Sequence, residues 1–165
     1  MALRHLVLSP TTKADEHNAL FSNGLGELDR GGSGKSRVNV ALDSSVLIAL
    51  ANENDPHHLE CVRAFNSKPH TFLASAIAVV EALVATYVKD YELAFKARLS
   101  LEERVSSFVE ITMVVAYEAL ELMHRTSLKL ADAIICASAE SSSAELWTCD
   151  KDLVRQFPAA RYVGL

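Results

Sequence analysis

From Val38 onward, short apolar runs alternate with stretches of helical period, and most boundaries carry a recognisable signal. Val38-Asn-Val-Ala-Leu42 reads as a buried strand, and Asp43-Ser-Ser45 after it suits the cap of a helix through Val46-Leu-Ile-Ala-Leu50. Asp55-Pro56 predicts a second helix, with Asp55 as cap and Pro56 in first position, running to about Asn66. Thr71-Phe-Leu-Ala74 is a short strand. Ser75 then caps an apolar helix from Ala76 to about Lys89, and a more charged helix follows from about Tyr91 to Phe108. Glu110-Ile-Thr-Met-Val-Val115 is rich in β-branched residues and predicts a third strand. Helices over about Ala116–Arg125 and Leu128–Glu140 lead to a strand at Leu146-Trp-Thr-Cys149. A short helix Lys151–Gln156, ended near Pro158, precedes a last strand at Arg161-Tyr-Val163. Strands separated by helices imply right-handed parallel crossovers, hence a three-layer α/β/α sandwich with a mainly parallel central sheet. Ligands of such sheets bind beyond the carboxyl ends of the strands.

The first 37 residues show no comparable period. Five of the six glycines (Gly24, Gly26, Gly31, Gly32, Gly34) precede Val38, and Asp29-Arg-Gly-Gly-Ser-Gly-Lys-Ser-Arg37 reads as a flexible linker. Gly34-Lys35-Ser36 resembles the end of a phosphate-binding loop, but Asp29 stands where that loop needs its earlier glycine, and no apolar strand precedes it. The expected organisation is an N-terminal extension over 1–37 and one domain over 38–165. A second reading has translation begin at Val38.

Composition narrows the class. A chain of 165 residues suits one folded domain, and no apolar run reaches the roughly 18 residues of a membrane helix. Cys61, Cys136 and Cys149 are odd in number and lack CxxC spacing, which points to a reducing compartment, read here as the cytoplasm. Residues 38–165 hold eleven Lys/Arg against seventeen Asp/Glu. An acidic body has no general attraction for nucleic acid, so such a substrate needs local basic groups or bridging cations.

Four acids stand where binary patterning does not place them. Glu81 interrupts the apolar stretch from Phe72 to Ala85, predicting a carboxylate in a buried helix, and Asp132 does the same within Leu130-Ala-Asp-Ala-Ile-Ile-Cys-Ala137. Asp43 and Asp150 directly follow strands, at the ligand edge. Each acid has a plainer role open to it. Asp43 and Asp150 also suit helix N-caps, and Glu81 or Asp132 could pair with a buried cation, Lys129 being nearest to Asp132. Taken together, four converging acids without matching cations repel one another, which hard divalent cations with oxygen ligands resolve. His57 and His58 are adjacent rather than four apart, unlike a zinc pair on one helix face.

Leu42-Asp-Ser-Ser-Val-Leu-Ile-Ala-Leu50, Ser75 with Glu81-Ala-Leu83, Leu130-Ala-Asp-Ala-Ile-Ile-Cys-Ala137 and Thr148-Cys-Asp150 resemble, in order and spacing, the PIN-domain nucleases, and most of all the small VapC-type toxins. The resemblance spans residues 38–165. It implies Mg²⁺ or Mn²⁺ held between Asp43, Glu81, Asp132 and Asp150, with Asp152 a further candidate ligand, for hydrolysis of RNA. It also implies a cognate antitoxin protein as partner and a homodimer to which the Ala76–Val88 helix contributes. Ser44 and Thr148 are candidates for orienting a ligand or water, and Arg125, Lys129 and Lys151 for phosphate contacts. A PIN-like binding or assembly module with little catalysis is the rival reading. A haloacid-dehalogenase-type phosphotransferase needs a second Asp two residues after the first, where this chain has Ser45. A receiver-type phosphoacceptor domain has no need of Glu81.

Overall fold

A computed structural model describes residues 37–165. The expected flexible extension lies, but for its last residue, outside the described residues. Five strands, β1 (Val38–Leu42), β2 (His70–Ser75), β3 (Ser107–Val109), β4 (Glu145–Thr148) and β5 (Ala160–Tyr162), form one parallel sheet in the order β3-β2-β1-β4-β5. The chain builds outward from β1 through β2 to β3, then returns to the other side of β1 for β4 and β5. The strand order therefore reverses between β1 and β4, the switch point where an open parallel sheet leaves a crevice at its carboxyl edge. Asp43 follows β1 there, and Asp150 stands two residues past β4.

Seven helices among the described residues connect the strands. These are α1 (Ser44–Ala51), α2 (His58–Asn66), α3 (Ala76–Lys89), α4 (Tyr91–Arg104), α5 (Met113–Arg125), α6 (Leu130–Ser141) and α7 (Lys151–Gln156). Helices α1, α3 and α4 pack on one another, α5 packs on α6, and α6 lies against β1, β2 and β4. Together with the sheet they form the expected three-layer α/β/α sandwich. Trp147 is 1% exposed and anchors the interior, its ring edge-on to Phe72, which stacks on Phe65 at 4.0 Å.

Three expectations need correction. The β-branched run at 110–115 is not the third strand. Thr112 Oγ1 accepts the Val115 N–H and caps α5, whose buried Val115, Ala119 and Leu122 keep helical spacing, while β3 lies earlier as a three-residue edge strand. Asp55-Pro56 does not start a helix. Asp55 accepts the His57 N–H on its side chain and the His58 N–H on its carbonyl, closing a turn that delays α2 to His58. Finally, α3 is not buried on nearly every face: only Ala78 and Leu83 are fully enclosed, and Val80, Val84 and Val88 are exposed. Its apolar stretch therefore runs onto an open face.

Candidate active site

Asp43 is the best-fixed acid of the switch point. It is 4% exposed, and its backbone N–H donates to Trp147 O, tying the end of β1 to β4. Its Oδ1 accepts the Ser44 N–H at 2.7 Å, capping α1, and its Oδ2 accepts from Ser45 Oγ at 2.6 Å and Thr148 Oγ1 at 2.7 Å. Three short donors, with Ser44 Oγ as a longer fourth at 3.4 Å, meet a carboxylate that is otherwise costly to bury. Both hydroxyls also accept from the chain after β4: Ser45 Oγ from the Cys149 N–H at 2.9 Å, and Thr148 Oγ1 from the Asp150 N–H at 3.0 Å. The backbone that carries Asp150 is thereby hung on the groups that hold Asp43.

Asp150 itself is exposed, and its Oδ1 caps α7 through the N–H groups of Asp152 and Leu153. The plain capping role therefore applies to both Asp43 and Asp150, and it leaves open what else they do. Asp132, half-buried in the first turn of α6, supplies the third carboxylate. Burial, and next the charges of Asp43 and Asp150, raise its pKa above the ordinary carboxylate value, and Lys129 opposes this without cancelling it. Lys129, Asp132, Asp150 and Asp152 line one cleft of about 150 Å³. The fully buried Cys136, one turn beyond Asp132, is pushed up to about 12 by burial and then by Asp43 and Asp132.

The remaining candidates are dispersed. Glu81 is half-buried rather than enclosed, because the outer face of α3 is open, and it lines a separate cleft with Ile48, Asn52 and Glu53. Its charge is not among those that raise Asp132. Ile48 forms a wall common to that cleft and to one of about 540 Å³ that holds Asp150, Lys151, Cys149 and Tyr162. Asp152 pairs with Arg155 in an exposed salt bridge. Lys151 lies 5.0 Å from the centre of the Tyr162 ring, and exposed Arg125 donates to Glu121 O at the end of α5. Ser44 contributes chiefly its backbone N–H. His57 Nδ1 accepts from the Leu165 N–H and His58 Nδ1 contacts Ala49 O, so neither pairs with the other.

Ser45 was not singled out by its sequence position, yet its hydroxyl links Asp43 to the Cys149 N–H, 104 residues along the chain from Ser45 itself. The weak signal available is its place two residues after a strand-ending Asp. Thr148 is fully buried and serves Asp43 directly. Thr148→Val keeps the shape and removes a donor to Asp43 and the acceptor of the Asp150 N–H. It is expected to cost ~1–3 kcal/mol, read as a lower urea midpoint with an unchanged slope.

The PIN domain family matches the chain over residues 40–157. This chain belongs to the PIN domain family. Among solved structures, a chain of a toxin–antitoxin complex from Klebsiella pneumoniae is similar at 25% identity, covering 74% of this chain and 95% of that one with a TM-score of 0.62. VapC20 of Mycobacterium tuberculosis, a Sarcin-Ricin loop cleaving toxin, is similar at 20% identity over 72% of this chain and 95% of its own, with a TM-score of 0.61. FitAcB from Neisseria gonorrhoeae is similar at 19% identity over 76% and 96%, with a TM-score of 0.60. Among curated proteins none matches. PIN domains of the VapC type are nucleases, and the family expected from the residues is the one found.

The edge of this PIN domain fits a hard cation in chemistry and charge: its donors are carboxylate oxygens, and Asp132 holds a raised pKa beside two other acids. Among the described residues, no three Asp, Glu, His or Cys side chains already close around a common point. Mg²⁺ needs no such cage, because it keeps several waters and is commonly held by one or two carboxylates.

Proposed function

We propose that this PIN domain is a metal-dependent endoribonuclease, the toxin of a type II toxin–antitoxin pair. The observation that carries the reading is the placing of Asp43, Asp132 and Asp150 together at the switch point of a parallel sheet, where burial and the two neighbouring charges disfavour the ionised form of Asp132. Asp43, Asp132 and Asp150 would hold Mg²⁺ or Mn²⁺, with Glu81 the fourth acid by family resemblance and Asp152, paired with Arg155, a subsidiary candidate. When bound, the cation supplies activation of water and neutralises charge on the phosphate. Asp43, fixed by three donors, keeps one carboxylate in place throughout turnover. Ser45 and Thr148 hold the Asp150 backbone in step with it. Lys129 beside Asp132 and Lys151 beside Asp150 offer cations to the RNA phosphates on an otherwise acidic body.

The similarity to chains from toxin–antitoxin complexes supports a cognate antitoxin as partner, and three cysteines without CxxC spacing support a cytoplasmic site of action. No described helix is long and apolar enough to cross a membrane. The exposed Val80, Val84 and Val88 on α3 are the face we assign to a second copy in a homodimer. We assign residues 1–37 no part in cleavage, so a chain starting at Met-Val38 is expected to cleave RNA at the rate of the 165-residue chain. A tenfold lower rate overturns that placement.

The purified full chain is expected to cleave RNA with Mg²⁺ or Mn²⁺ and not with EDTA, and its expression to arrest growth of a bacterial host. Cleavage that is unchanged in EDTA rules out the cation. Among the described residues no three ligands converge, which favours a second reading, a PIN-like binding module with little catalysis. A folded protein that binds RNA and cleaves it under neither condition supports that alternative.

A further inference from the structure

We infer that Cys61 and Cys149 form a reversible dithiol–disulfide pair that responds to peroxide and tunes the carboxylate site. Their sulfurs lie 3.3 Å apart although the residues are 88 positions apart in the chain. A disulfide requires closing the remaining ~1.3 Å, to an S–S distance of about 2.05 Å. Cys61 is buried on α2, while Cys149 is half-exposed, lies just past β4 and lines the open cleft shared with Asp150, Lys151 and Tyr162. A small oxidant therefore reaches Cys149 and finds the second sulfur in van der Waals contact behind it. Cys136, the third thiol, is fully buried on α6 and enters no sulfur contact among the described residues.

The chemistry is balanced by peroxide alone. Once Cys61 has released its proton to solvent, it takes the proton of the Cys149 thiol it touches while the Cys149 sulfur attacks one oxygen of hydrogen peroxide, breaking the O–O bond to give a sulfenic acid and a hydroxide that regains the solvent proton as water. The Cys61 sulfur then attacks the sulfenic sulfur, forming the S–S bond and expelling a second water. Two thiols lose two electrons and two protons, and one peroxide is reduced to two waters.

The coupling follows from what Cys149 touches. Its N–H donates to Ser45 Oγ, which donates to Asp43 Oδ2, and its peptide neighbour is Asp150. Drawing its sulfur toward α2 shifts the segment that joins these two acids. Displacements of about 1 Å in a catalytic geometry can cost about a hundredfold in rate, so at least a tenfold loss of cleavage is expected on oxidation. This part rests on the nuclease reading above.

The test treats the full chain with hydrogen peroxide, unfolds it, alkylates it with N-ethylmaleimide and weighs it. The pair predicts three adducts before peroxide, one afterwards at Cys136, a cross-linked peptide joining residues 61 and 149, and three adducts again after dithiothreitol. Three adducts after peroxide, a cross-link through Cys136, or a sulfinic acid on Cys149 with no cross-link overturns it. Cys61→Ala and Cys61→Ser are expected to form no cross-link and to keep the basal cleavage rate in peroxide, while the wild type loses at least tenfold and recovers with dithiothreitol. A disulfide that leaves cleavage unchanged overturns the coupling. If no form cleaves RNA, the nuclease reading fails while the adduct count still decides the pair.

Discussion

Asp43→Asn is expected to lower RNA cleavage by about a thousandfold or more, ~4 kcal/mol of barrier, with little loss of folded protein. The two consequences come from different atoms. The fold needs Asp43 as an acceptor for the Ser44 N–H and as a partner for two hydroxyls. Asn keeps an oxygen for the first. Its amide can donate to Ser45 Oγ and Thr148 Oγ1, which need only rotate their O–H bonds to accept, so the cost in stability is about 1 kcal/mol. Holding a cation needs the negative charge, which Asn lacks. Asp132→Asn and Glu81→Gln are expected to abolish cleavage in the same way. Glu81→Gln is the sharper test of sequence resemblance, since Glu81 lines a different cleft from Asp132 and Asp150. A variant with wild-type cleavage in Mn²⁺ removes that residue from the site. If a variant unfolds at 25 °C, the residue is structural first.

The second large effect is on stability. Asp132 binds its proton more tightly folded than unfolded, because burial and the charges of Asp43 and Asp150 penalise its ionised form. Its favourable contribution is therefore fully present below the ordinary carboxylate pKa and is lost as pH rises through the elevated folded value. Above that value the ionised group strains the metal-free fold. Asp132→Asn mimics the neutral form, so in EDTA at pH 7 the variant is expected to melt at or above the wild-type temperature and to lose this segment of pH dependence. A cation that binds the folded site and scarcely the unfolded chain reverses the order. At a hundredfold excess over Kd it stabilises the wild type by about 2.7 kcal/mol, and the variant by clearly less. Melts with EDTA and with Mn²⁺, at pH 5 and pH 7, read all of these changes. Equal metal-induced shifts in both proteins contradict a shared site.

Much of the fold was legible because its signals are local. The limits Val38–Leu42, Ala76–Lys89 and Lys151–Gln156 follow from caps at Ser75 and Asp150 and from breaks in apolar period, and all three match the structure. The misplaced third strand shows where local signals fail. Thr112 as a cap and Val115, Ala119 and Leu122 at helical spacing outweigh β-branching, and β3 is defined only by its pairing with β2. The positions of Asp43 and Asp150 at the carboxyl edge of the sheet were legible because an Asp at a strand end is visible in one dimension. The hydroxyl of Ser45 and the contact between Cys61 and Cys149 join residues about 90 to 100 positions apart, and no pattern along the chain announces them. Glu81 illustrates the opposite error. An acid within an apolar stretch reads as buried, but an apolar helix can also turn a face outward, as Val80, Val84 and Val88 do.

The claim that these carboxylates together hold one divalent cation is tested most directly by Mn²⁺ binding at equilibrium, followed by loss of the free-ion paramagnetic resonance signal, in the wild type and in Asp132→Asn. Saturable binding by the wild type, weakened at least tenfold in the variant at pH 7, is the expected result. Equal binding by both proteins, or none by the folded wild type, contradicts it.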